Sequence, residues 1–140
     1  MADFVLHLLL RAAAIPSGGG VLGAVRVVRE GLPLPAVNEL VDAGILSVAE
    51  LDRLGIPHRR PGRQGGQGKL TPEQSDRLLR VVRIIRQAEG TFGSQDKARR
   101  WLRRPTAALD GQAPLDLLDT EIGARSVEDL LGRIAHGIAA

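Results

Sequence analysis

Apolar residues recur along this chain at spacings of three and four, and Gly, Pro and short polar residues punctuate them as they do helices. Pro35 in a first turn, followed by the stripe Val37, Leu40 and Val41, predicts a short helix that stops at Gly44. Ser47 and Glu50 have the spacing of a capping box, and Leu51 and Leu54 face inwards before Gly55 stops this second helix. Pro57 is placed to launch a third, with Ile56 as the aliphatic anchor beneath it. Helix, glycine turn and basic helix together read as a helix-turn-helix. Pro61 falls about one turn into the third helix, where it removes an amide hydrogen bond and clashes with the preceding turn, and Gly62, Gly65, Gly66 and Gly68 follow. The recognition element is therefore expected to be short and to run into a basic loop, better suited to phosphate contact than to bidentate base readout.

The strongest helix begins with Thr71 as cap, Pro72 at the first position and Gln74 completing a box. Its stripe is Leu78, Val81, Val82 and Ile85, widened by Leu79, Ile84 and Ala88, which places it at the centre of a core or of a dimer interface. Arg77, Arg80, Arg83 and Arg86 wind along the remaining side as a solvated face or a partner surface, and Gly90 is expected to end the helix. Ser94 starts the next, with Ala98, Trp101 and Leu102 inward and Pro105 as the stop. A short helix from Pro114 to Leu118 is expected to close near Gly123. Ser126 is then expected to cap the last helix, with the stripe Val127, Leu130, Leu131, Ile134 and Ile138. Residues 16–20 read as a flexible joint after a short amino-terminal piece.

Composition narrows the picture. Only Phe4, Phe92 and Trp101 are aromatic, so the core is aliphatic and an all-α fold is expected. The absence of cysteine removes disulfides, thiol nucleophiles and thiolate metal sites, and fits a reducing, cytoplasmic setting. His7, His58 and His136 show no ligand spacing, so neither a metal nor a cofactor is expected. The apolar run from Phe4 to Leu10 is too short, and too interrupted by His7, to be a membrane span or a secretion signal. No phosphate-cradling loop, thiol or triad-like serine supports an enzyme.

Charge is segregated. Residues 58–105 hold 13 basic side chains (11 Arg, Lys69 and Lys97) against 4 acidic, whereas residues 106–140 hold 2 against 6. A basic block of this kind marks phosphate-backbone contact or, alternatively, only the solvated faces of Arg-rich helices.

A family resemblance lies in the second half. Leu70, Thr71, Pro72, Glu73, Gln74, Ser75, Asp76, Arg77 and Leu78, then Ala98, Arg99, Arg100, Trp101, Leu102, Pro105, Leu109, Gly111, Pro114, Leu115, Leu118, Asp119, Thr120, Gly123, Val127, Leu130, and finally Gly132, Arg133, Ile134, Ala135, His136 and Gly137, form an ordered set. This set resembles the toxin-binding domain of the Xre/MbcA/ParS antitoxins. The stretch 31–69 is similar to that family's Xre-type helix-turn-helix.

The resemblance implies a type II antitoxin paired with a RES-domain toxin that consumes NAD or uses it for ADP-ribosylation. It implies a helical homodimer that covers the toxin's active-site entrance with its carboxyl-terminal domain and tail and binds operator DNA. Three segments follow: an extension over 1–24, an Xre-type helix-turn-helix domain over 25–69, and a small helical toxin-binding and dimerisation domain over 70–140. The expected toxin-binding residues are Arg133, Ile134, His136, Gly137, Ile138 and Ala140 of the tail, with Asp119 and Trp101. Arg59, Arg60, Arg63, Gln64 and Lys69 are the expected DNA contacts. The chain departs from the family where Arg60 and Pro61 replace a threonine and an aliphatic residue.

Residue chemistry leaves alternatives beside several of these roles. Asp110, Asp116, Asp119, Glu121, Glu128 and Asp129 complement a basic, NAD-binding toxin, or else only support local helix starts. Trp101 has the spacing of a core residue as well as the chemistry of an interface anchor. His136 either enters a toxin pocket or faces solvent, and Asp119 with Thr120 reads as a local loop clamp. The competing function is a stand-alone basic helix-turn-helix regulator with no toxin.

Overall fold

The structure is a computed structural model that describes residues 19–58 and 68–137. Six α-helices occupy most of these residues: α1 (Gly19–Glu30), α2 (Leu34–Asp42), α3 (Val48–Leu54), α4 (Pro72–Phe92), α5 (Gln95–Arg103) and α6 (Glu121–Ala135). Two 3₁₀ turns, Ala107–Leu109 and Pro114–Leu117, lie between α5 and α6. No strand occurs among the described residues, only the isolated bridges Pro33 to Lys69 and Thr106 to Gln112. The expected all-α class is therefore what the chain adopts. The chain divides into two units, 1–79 and 80–140, and the cut falls within α4.

In the first unit, α2 starts at a proline-bearing first turn and buries Ala36, Val37 and Leu40. The Ser47 hydroxyl accepts from the Glu50 amide at 3.1 Å, and the Glu50 carboxylate accepts from the Ser47 amide at 2.9 Å, completing the expected capping box of α3. Such a cap contributes about 1 kcal/mol. Gly55 ends α3 in the left-handed conformation, and Leu51, Leu54 and Ile56 are buried. The Thr71 and Gln74 box is also present, at 3.1 and 2.8 Å. Within α1, Leu22 and Val25 are exposed, and none of residues 22–30 is buried.

A close approach fixes the segment after α1. Gly31 has φ +88°, and a Cβ there would lie 2.3 Å from the Leu70 carbonyl oxygen. The backbone pairs beside it: the Leu70 amide donates to Leu32 O at 2.8 Å and the Leu34 amide to Gly68 O at 2.9 Å. Buried Ser75 accepts from the Leu32 amide at 2.9 Å, so a polar side chain at the start of α4 is satisfied in the core.

In the second unit, Val81, Val82, Ile84, Ile85 and Ala88 of α4 are buried, as are Ala98 and Leu102 of α5 and Ala124, Val127, Leu130 and Leu131 of α6. With Leu78 and Leu79 also buried, the whole apolar stripe of α4 is used inside the chain. None of it is left over for the dimer interface that the pattern also allowed.

Five boundaries differ from the sequence reading. Gly19 and Gly20 open α1 instead of forming a joint. Ile56, Pro57 and His58 are irregular, so the third helix of the motif does not start at Pro57. Gly90 lies inside α4, which continues to Phe92 and is stopped by Gly93 at φ +66°. The turn at Pro114 ends at Leu117, well before Gly123. The last helix starts at Glu121, capped by Thr120, and Ser126 lies inside it with its hydroxyl donating to Ile122 O at 3.1 Å.

The early start of α6 has a steric cause. The Thr120 hydroxyl accepts from the Gly123 amide at 3.0 Å, and a Cβ at 123 would meet the Leu117 carbonyl oxygen at 2.0 Å. Gly123→Ala is therefore expected to lower stability by about 2 kcal/mol or more, because the obstacle is backbone that cannot turn aside. Gly90→Ala meets nothing within 4 Å and is expected to add about 0.5–1 kcal/mol through helix propensity. Urea unfolding of both variants tests the pair. Equal and small effects would show that the Leu117 approach constrains nothing.

Candidate functional site

The helix-turn-helix frame consists of α2, the turn at Gly44, α3 and the turn at Gly55, with Leu40, Leu46, Leu51 and Leu54 buried beneath it. Arg77 on α4 reaches back to this frame. Its guanidinium donates to Leu54 O at 3.3 Å and Gly55 O at 3.4 Å, placing a cation on the carbonyl end of α3 where the helix dipole favours it. His58 pairs with Asp52 at 2.8 Å just beyond the turn. Of the expected DNA contacts, Lys69 is exposed at the bridge to Pro33, while Arg59, Arg60, Arg63 and Gln64 lie outside the described residues. Both flanks of residues 59–67 are anchored, by buried Ile56 on one side and buried Leu70 on the other.

In the second unit the chemistry gathers along α6. Ile122, Ser126, Asp129, Arg133 and His136 share one exposed face, at spacings of four, three, four and three. Ile122 is 82% exposed, an unusual state for an aliphatic side chain of this size. A shallow hollow lies along this face, walled by Leu109, Asp110, Gln112 and Leu117 opposite Ser126, Asp129 and Arg133. A second hollow, lined by Glu128, Asp129, Gly132, Arg133 and His136, shares Asp129 and Arg133 with the first. The two hollows adjoin at Asp129 and Arg133 as a shallow groove on α6, and Gly137 just beyond the helix has φ +70°.

Of the expected tail residues, Arg133 and His136 line this groove. Ile134 is half-buried, and Ile138 and Ala140 lie outside the described residues. Asp119 is exposed in the turn before Thr120 and lines neither hollow. Trp101 is half-buried, tilted at 46° to Phe92 with ring centroids 5.4 Å apart, and lines a different hollow with Lys97, Arg100 and Arg104. Thus Arg133 and His136 are brought together, and Asp119 and Trp101 are not brought to them.

The acidic set is divided as well. Glu121 faces Arg80 at 3.4 Å and Arg125 at 3.6 Å, and Glu128 faces Arg83 at 3.8 Å. These two carboxylates are engaged within the chain. Asp110 and Asp129 line the groove beside Ser126, and Glu128 lines its second hollow as well. Ser126, Gln112 and Leu109 were not singled out from the sequence as surface residues. Placing the helix start at Ser126 hid the first turn and a half of α6, and with it the continuous face.

Comparison with known proteins agrees with this division. Residues 23–83 match the family model of the antitoxin Xre-like helix-turn-helix domain, and residues 87–137 match that of the antitoxin Xre/MbcA/ParS C-terminal toxin-binding domain. A protein of Photorhabdus laumondii named Antitoxin Xre is 38% identical over 134 residues, covering 93% of this chain and 89% of that one. An Antitoxin Xre of Yersinia enterocolitica is 34% identical over 133 residues, with the same coverage of 93% and 89%. In Pseudomonas putida, another Antitoxin Xre is 35% identical over 111 residues, or 79% of this chain and 69% of that protein. With a helix-turn-helix frame followed by a helical unit that carries an exposed groove, and with relatives matched over most of their length, this chain belongs to the Xre family of antitoxins.

Proposed function

We propose that this protein is the antitoxin of a type II pair and neutralises a RES-domain toxin that consumes NAD. The carboxyl-terminal domain, expected over 70–140, covers the toxin's active-site entrance with the α6 groove and the tail 133–140. The continuous exposed face from Ile122 to His136 carries this reading, because it delivers the tail from a rigid helix and leaves Arg133 and Asp129 facing outwards. A site on a helix is held more accurately than one on a loop. Its role is binding, not catalysis. The same protein, acting as a cytoplasmic homodimer, binds operator DNA through the helix-turn-helix and the basic residues Arg59, Arg60, Arg63, Gln64 and Lys69, and so represses its own operon.

Expression of the adjacent reading frame alone, with this protein, and with this protein truncated after Gly132, tests the first part. Toxicity and loss of cellular NAD are expected from the neighbour alone, with rescue by the full chain and not by the truncation. Absence of toxicity, or absence of rescue by the full chain, would transfer the assignment to a stand-alone regulator.

Within the groove, Asp129→Lys combined with Arg133→Glu is expected to weaken toxin binding by roughly 10- to 100-fold, the scale of reversing charges in a desolvated interface. Isothermal titration with purified toxin measures this. Unchanged affinity would place the contact elsewhere. Substituting Arg59, Arg60 and Arg63 with Gln is expected to weaken DNA binding and to reduce its salt slope by about 2.7, while leaving rescue intact. Parallel loss of DNA binding and rescue would contradict the division of roles.

A further inference from the structure

Helix α5 carries a charge pattern that neither the groove nor the helix-turn-helix uses. Ala98 and Leu102 are buried, while Lys97, Arg100 and Arg104 are exposed. Lys97 and Arg100 lie three residues apart on one side of the helix, next to Trp101, and Arg104 follows just past the helix end in extended backbone. All four line a single shallow hollow whose remaining wall is Phe92. Trp101 is held there by its tilted contact with Phe92, so the hollow has a fixed aromatic floor and a cationic rim.

The row fits a polyanion. From Lys97 to the end of α5 at Arg103 the helical rise gives a length of about 9 Å, and Arg104 lies just beyond. The row is long enough to meet more than one phosphate of a duplex strand. Asp96 is the carboxylate beside it, paired with Arg100 one turn on, with both side chains about 70% exposed. An exposed i,i+4 pair of this kind holds its partners weakly, and Arg100 exchanges Asp96 for a phosphate at little cost.

We propose that Lys97, Arg100 and Arg104, over Trp101, form a second phosphate-backbone contact that holds duplex DNA against α5, outside the helix-turn-helix module. This rests on the DNA-binding reading above and extends it to the other unit. Charge favours DNA over the toxin as occupant. The row carries three cations beside one carboxylate, Asp96, a balance that complements a phosphate backbone. Because phosphate contacts position without reading bases, the row raises affinity equally for every sequence.

The test compares wild type with Lys97→Gln/Arg100→Gln/Arg104→Gln, and with each single substitution, by fluorescence anisotropy over a range of NaCl concentrations. Two labelled duplexes are used, one from upstream of the protein's own reading frame and one of unrelated sequence. Each single substitution is expected to reduce the slope of log K against log [salt] by about 0.9 and the triple by about 2.7, with affinity falling about tenfold or more on both duplexes. The charge-retaining variant Lys97→Arg/Arg100→Lys/Arg104→Lys is expected to bind as wild type does, and toxin rescue is expected to survive the triple substitution. Unchanged slopes in a wild-type chain that does bind DNA would overturn the α5 contact alone. No DNA binding by wild type would sink the DNA-binding reading with it. Loss of rescue at an unchanged slope would assign the row to the toxin instead.

Discussion

The missing side chain at position 123 sets the register of the carboxyl-terminal helix. Because glycine lets the first turn of α6 lie against the Leu117 carbonyl, Thr120 reaches the Gly123 amide and caps the helix three residues ahead of it. From that start, the 3.6-residue period puts Ala124, Val127, Leu130 and Leu131 inside and turns Ile122, Ser126, Asp129, Arg133 and His136 outward. A helix started at Ser126 would lack the Ile122 end of that face. The approach of Gly123 to Leu117 O thus fixes where the exposed face of α6 begins. Its polar residues add chemistry to a surface that the contact has already placed.

The first unit uses a similar device for a different end. Gly31 admits the Leu70 carbonyl, the backbone pairs on either side, and Ser75 satisfies the Leu32 amide from the first turn of α4. That knot pins the chain on the far side of residues 59–67, while the left-handed Gly55 and buried Ile56 pin the near side. Arg77 ties the two flanks together, since it leaves α4 and ends on the last carbonyls of α3.

Much of this was legible in the sequence because it is local. Capping boxes at Ser47 and Thr71, the left-handed glycine after α3, and the apolar stripe of α4 depend on neighbours three or four residues away, and all are present. The misread positions share a different cause. Gly90 resembles a stop, yet α4 continues because Phe92 packs on Trp101 and Gly93 supplies the left-handed turn. Gly123 also resembles a stop, and is a contact with Leu117 that no local pattern reveals. Ser126 looks like a cap, but a serine inside a helix bonds back to the carbonyl four residues earlier, as it does here to Ile122. Contact beyond the local pattern decided the two glycines, a local back-bond holds Ser126, and the α6 face was hidden with them.

The charge count is where structure changes the argument most. Residues 58–105 look like one basic block of 13 side chains, but the block is not one surface. Arg77 is spent on the end of α3, and Arg80 and Arg83 face Glu121 and Glu128 of the acidic carboxyl-terminal stretch. The segregation in sequence is thereby partly neutralised in the fold, because basic α4 faces acidic α6 within the second unit. Lys97 and Arg100 of α5, with Arg104 just past its end, remain exposed around one hollow, while Ala98 and Leu102 are buried. A net charge read along the chain overstates what a phosphate backbone can meet, and the burial pattern of α4 and α5 shows which part of it faces outwards. Electrostatic roles in this protein therefore follow from which arginines have carboxylates to answer them, and in the row on α5 Arg100 is answered by Asp96 at the helix start.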